Sequence, residues 1–138
     1  VETLSDPVAE TIREVVATAP SAGATVFVSP WIGAETDPNI DDTAYPHRDP
    51  AHHVLVEARW TDADRDAEHI NWVQKAHEAL RPYTTGDVEM NFLTDDESVE
   101  RLRSAYGANY DRLVQIKNEW DPDNLFSKNQ NVEPDSQC

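Results

Sequence analysis

Apolar positions recur with two different periods along this chain of 138 residues. Near the start, Val8, Ile12, Val15, Val16 and Ala19 return every three or four residues, predicting a helix from about Asp6 to Thr18. Asp6 is the expected N-cap with Pro7 at the first helical position, and Pro20, Ser21 and Gly23 close the element. Ala24 to Ile32 is β-branched and aromatic and predicts a strand, with Pro30 marking a bend or an edge. His53 to Trp60 has a period of two: Val54, Val56, Ala58 and Trp60 share one side, and His53, Leu55, Glu57 and Arg59 the other.

The helical period returns from about Asp64 to Leu80, with Thr61 or Asp62 as cap and Ile70, Val73, Ala76, His77 and Leu80 as the apolar face. Pro82 ends it. Asp87 to Phe92 alternates again, predicting a short strand with Val88, Met90 and Phe92 on one side and Asp87, Glu89 and Asn91 on the other. Thr94 and Glu97 form a capping box before a helix carrying Val99, Leu102 and Tyr106. Gly107 breaks it, and a last helix bearing Tyr110, Leu113, Val114 and Lys117 stops before Pro122. Between the first two strands, Gly33 to Pro50 is a long loop, of a length that is uncommon unless it binds something or is disordered, and a fourth strand could hide in it. The order predicts one α+β domain over residues 1–138, an antiparallel sheet with helices packed on one face.

Charge narrows the partners. With 27 acidic against 11 basic residues, the net charge is −16, scattered through every segment. Nucleic acid and anionic membrane are disfavoured, since phosphate binding needs clustered Lys and Arg. Such an acid excess suits a protein kept soluble at high salt, a halophilic type of composition. No apolar run is long enough to span a membrane. The lone cysteine, Cys138, permits no internal disulfide and fits a cytoplasmic location. Val1 in place of a methionine is what a fragment or a processed product would show.

Several chemistries lack their residues. The four glycines form no Gly-x-Gly-x-x-Gly and no phosphate loop, so no pyrophosphate cradle is evident. His47, His52, His53, His69 and His77 are spaced poorly for a shared ion, so no metal site is expected. Asp41/Asp42 and Asp95/Asp96 sit where turns and helix caps use carboxylates. The polar strand face of Glu89 and Asn91 is the better candidate to look onto a ligand.

Certain segments resemble the berberine bridge enzyme family of FAD-linked oxidoreductases. They are Tyr106 to Leu113, Trp120-Asp121-Pro122-Asp123-Asn124-Leu125-Phe126 and Asn129-Gln130-Asn131; then Thr43-Ala44-Tyr45-Pro46-His47-Arg48-Asp49; then Ala58-Arg59-Trp60, His69 to Val73 and Arg81-Pro82-Tyr83; and Met90-Asn91-Phe92-Leu93. The set runs from about Ala44 to Pro134, densest over about 87–134. The resemblance implies the end of a substrate domain plus C-terminal helices of a larger enzyme, whose FAD is held by segments outside this chain. Asn91 matches the Asn that approaches the flavin ring, and Tyr45 and Asn131 are weaker cofactor-binding candidates. Glu89 stands where many members carry a Tyr that helps deprotonate the substrate, and a carboxylate can serve as that base. The implied partners are a small-molecule substrate and a missing FAD-binding domain or subunit. The alternative is a stand-alone, non-enzymatic α+β module, a homodimer using Trp31, Trp60, Trp72 and Trp120.

Overall fold

The computed structural model describes residues 1–49, 51–93 and 98–135. The fold class is α+β, and the backbone divides into two compact units: Val1–Ile32 with Asp49–Gly86, and Gly33–Arg48 with the residues from Asp87 onward.

In the first unit two helices back an antiparallel strand pair. Helix α1 spans Asp6–Ala17, one position earlier than expected at its start, because Ser5 has the extended backbone of the N-cap and Asp6 is already helical. Val8 and Val15 are buried, whereas Val16 is exposed. Strands β1 (Ala24–Trp31) and β2 (Ala51–Ala58) pair from Ala24 opposite Ala58 to Trp31 opposite Ala51. Pro30 lies opposite His52, whose backbone N–H and C=O instead bond the O and N of Val1 on the other edge. That is where a strand tolerates proline, since no ladder donor is needed from it. Gly23 is required by close approach: a Cβ there would sit 2.3 Å from the Arg59 carbonyl oxygen.

Helix α2, Asp66–Leu80, follows a 3-10 turn capped by Asp62, which accepts from the Asp64 N–H. Its buried face is His69, Trp72, Ala76 and Leu80 rather than the expected Ile70, Val73 and His77. Ile70 and His77 are exposed and Val73 is half-buried. The reason lies in two polar-tipped rings that find partners inside. Trp72 Nε1 donates to the Val15 carbonyl at 3.2 Å, adding a buried donor to a carbonyl at the end of α1 that also accepts from Thr18. Trp72, Ala76, Val15 and Ala24 form the core, with Val26, Val56, Ala58 and Val73 against it. These strand residues share one face, so the helices cover one side of the ribbon. Phe27, on the other side, is left more than half exposed.

The second unit has less regular structure. Helix α3, Val99–Tyr106, is capped by Ser98, whose hydroxyl accepts from the Arg101 N–H. The capping box expected at Thr94 and Glu97, the Asp95/Asp96 pair and Cys138 lie outside the described residues. Val99 is exposed, and Leu102 and Ala105 carry the buried stripe. Gly107, at φ +49°, turns the chain into α4, Tyr110–Trp120. Leu93, Leu102, Ala105 and Tyr110 form the core, joined by Val88, Met90, Val114 and Val132.

The strand expected at Asp87–Phe92 is not formed. The chain is extended through Glu89 and then enters a 3-10 turn over Met90–Phe92. The Phe92 N–H returns to the Glu89 carbonyl at 3.0 Å, so local bonds replace a ladder, and Phe92 is turned out to solvent. Among the described residues, the Gly33–Pro50 loop holds a 3-10 turn at Gly33–Glu35 and no strand.

Candidate functional site

Two extended segments of the second unit meet side by side. Pro46 follows Tyr45 and biases it towards extended backbone, which puts Tyr45 and His47 on one side. Their rings touch edge-on with centroids 5.3 Å apart. Glu89 is extended as well. His47 Nδ1 lies 3.6 Å from Asp87 Oδ1 and ties the segments together. Asn91 Nδ2 donates to Glu89 Oε1 at 3.2 Å.

The loop bearing Tyr45 is held by side chains. Asn109, buried at the start of α4, donates to the carbonyls of Ile40 at 2.6 Å and Thr43 at 3.1 Å. Arg48 donates to the Glu35 carbonyl at 2.7 Å and to the Thr43 hydroxyl, and its guanidinium lies 5.2 Å from the Tyr45 ring centre. Arg48 thus acts structurally, through the loop backbone. The Asn91 turn is held from the other end, where Gln130 Nε2 donates to the Leu93 carbonyl.

The electrostatics centre on Tyr45. Partial burial raises its phenol above the usual tyrosine range, and the Glu89 carboxylate raises it further. Arg48 opposes both, while Asp87 and Glu35 add smaller upward pushes. A phenol held this way is neutral and donates at neutral pH, beside a carboxylate that accepts. The cluster can therefore grip one polar group from two sides and remove a proton from it.

The structure joins Glu89 and Asn91 by a hydrogen bond, places Tyr45 on a loop whose His47 lies near Asp87, and sets Asn131 elsewhere. The Asn131 amide sits in the turn after α4, 3.1 Å from the Phe126 carbonyl oxygen and beside Asn124. That turn is built by Asp121, which accepts from the N–H groups of Leu125 at 2.7 Å and Phe126 at 3.1 Å. Lys117 donates to Asp121, which draws that carboxyl below its ordinary pKa, and also to the Phe126 carbonyl. Lys117 thus serves this turn rather than Glu119. Sequence reasoning did not single out Asn109 as the anchor of the loop; Asp87 and Gln130 appeared in it only as members of the polar face and of the Asn129-Gln130-Asn131 strip.

An open cavity of about 460 Å³ lies in the first unit, lined by Ser21, Gly23, Arg59, Trp60, Arg65 and His69. Its buried histidine is spent on structure. His69 Nδ1 is 3.0 Å from the Arg65 carbonyl oxygen, Nε2 is 3.1 Å from the Ser21 hydroxyl, and the ring stacks on Trp60. Arg65 is engaged by Glu68 and the Pro20 carbonyl. Among the described residues no three His, Cys, Asp or Glu side chains gather as a metal site, and no helix is long and apolar enough to cross a membrane.

The α+β fold is shared with known proteins. Wild-type BBE-like 1 of Physcomitrella patens superposes with a TM-score of 0.74 at 21% identity, over 94% of this chain and 28% of that one, which establishes likeness of fold. Residues 90–133 match the family model described as Berberine and berberine like. An uncharacterized FAD-linked oxidoreductase, YvdP, of Bacillus subtilis is 28% identical over 131 residues, 94% of this chain and 29% of the relative. Tetrahydroberberine oxidase of Berberis wilsoniae is 23% identical over 127 residues, 80% of this chain and 24% of the relative. The chain resembles the berberine bridge enzyme family of FAD-linked oxidoreductases, and it spans about 29% of the length of such a relative.

Proposed function

We propose that this chain is the C-terminal part of an FAD-dependent oxidoreductase, presenting a base and a carboxamide to a small substrate and to the flavin ring. The observation that carries the reading is the Glu89–Asn91 pair at the head of the berberine-like segment, hydrogen-bonded and facing the Tyr45 loop. Bound FAD would supply the oxidant, taking a hydride from the substrate carbon. Glu89 accepts the proton that the substrate must lose, as a carboxylate within reach can.

Asn91 fits a flavin ring edge. It is exposed, and only one amide hydrogen is committed to Glu89, so a second N–H and the carbonyl remain to meet ring C=O and N–H groups. The ADP half does not fit here. No glycine-rich turn precedes a helix among the described residues, so the pyrophosphate would be held by another domain or subunit. The chain by itself therefore binds FAD weakly. Titrating it into FAD and following flavin fluorescence tests this: little quenching is expected, and tight stoichiometric binding would overturn the division of labour.

The exposed side chains support a partner surface. Trp120, Leu125 and Phe126 are 78%, 80% and 82% exposed, a concentration of large apolar groups that marks contact sites. Trp72 is buried, and Trp60 stacks on His69, so the four-tryptophan self-interface reduces to Trp120 and the half-buried Trp31. Trp120 and its neighbours suit a flavin-binding part, in the same chain or a separate one. A homodimer is the second reading, separated by the mass on size exclusion. A cytoplasmic location remains part of this proposal, resting on the single terminal cysteine.

A further inference from the structure

We propose that the outer edge of β2 seats a third strand, supplied by the residues that precede Val1 in a longer polypeptide. The inference rests on the reading of this chain as part of such a polypeptide, which its span of 29% of a relative's length supports. The geometry is that of one residue pair. The Val1 amine donates to the His52 carbonyl at 2.9 Å, and the His52 N–H donates to the Val1 carbonyl at 2.7 Å. Two residues that exchange both bonds form the closely spaced pair of an antiparallel ladder, with the amine standing in for a peptide N–H. The pair sets direction and register together. Counting back from Val1 opposite His52, residues two, four and six places before Val1 fall opposite Val54, Val56 and Ala58.

The edge is prepared for such a strand. The backbone groups of His52 point away from β1, so by alternation those of Val54, Val56 and Ala58 also face outwards. Among the described residues they have no hydrogen-bond partner. The opposite edge of the ribbon is blunted, because Pro30 brings no donor and the Ala24 N–H already bonds the Ser21 carbonyl at 3.1 Å. Val1 is buried, and Val56 and Ala58 pack on the helix-covered core, so the residues opposite them extend that face and should be apolar. A two-stranded ribbon gains stability from a third strand with a hydrophobic face. A second copy is the poorer occupant: Val1 already holds one end of the edge, and a net charge of −16 on each chain opposes association.

The test is disulfide cross-linking in the intact polypeptide, with Cys138→Ser removing this chain's own thiol. A cysteine three places before Val1 lies directly opposite Leu55 in a non-hydrogen-bonded pair, at about 4.5 Å between Cα atoms and within disulfide reach. Leu55→Cys is expected to close the bridge, and His53→Cys and Glu57→Cys, on either side of it, to close it far less. Preference for either neighbour, a bridge between two copies, or no bridge overturns the proposal. Residue-resolved amide exchange of the unsubstituted polypeptide needs no variant to fold: Val54, Val56 and Ala58 should exchange as slowly as Leu55 and Glu57. Fast exchange at those three positions alone overturns the strand. A native mass of 15.5 kDa would instead sink the reading of a longer polypeptide, so the two failures are told apart.

Discussion

The two units use their polar groups in opposite ways. In the first, backbone groups pair in the β1–β2 ladder, and buried side-chain donors close structural gaps: Trp72 on the end of α1, His69 between Ser21 and Arg65. In the second, extended segments and turns carry the chain, and side chains such as Asn109, Arg48 and Gln130 hold loop carbonyls. Groups pinned in this way present Tyr45, Glu89 and Asn91 without committing them to a ladder. The cavity in the first unit shows the converse, a concave site whose polar groups are already occupied by structure. A cleft is therefore a poorer guide here than loops whose anchors can be named.

The sharpest break of this contrast is Trp72→Ala. It removes a side chain only 6% exposed, leaving a cavity and taking one of three donors from the Val15 carbonyl, at an expected cost of about 3–5 kcal/mol. Amide exchange should show the loss in α1, β1 and α2. Equal loss of protection in α3 and α4 would mean that the division into units has no energetic content. Asn109→Ala should cost less, about 1–3 kcal/mol, by leaving the Ile40 and Thr43 carbonyls unsatisfied. Its signature is faster exchange around residues 40–48 with β1 and β2 unchanged. Unaltered exchange in that loop would show that the loop is held by something else.

The legibility of the sequence follows the same line. The period of two in β2 and the first helical stripe are local patterns that named both elements, but β2 runs Ala51–Ala58, two residues earlier than the expected His53–Trp60, because its ends are set by pairing with β1. The face of α2 was misjudged because His69 is buried by a hydroxyl 48 positions away and by the Trp60 ring, neither visible in its own period. Alternation at Asp87–Phe92 suggested a strand, yet a strand needs a neighbour to accept its N–H groups, and the 3-10 turn supplies carbonyls locally. The candidate site became visible through family-like segments rather than spacing. No local rule could bring the Tyr45 loop to the Glu89 segment, because that approach shows only in the His47–Asp87 contact and in Asn109 holding the loop.

The proposed role of Glu89 is tested most directly by flavin reduction in the intact flavoprotein containing this chain, followed by rapid mixing with substrate. Glu89→Gln should slow reduction by about 10²–10⁴-fold at unchanged FAD content, the usual worth of a positioned base. A variant reduced as fast as the parent would contradict the account.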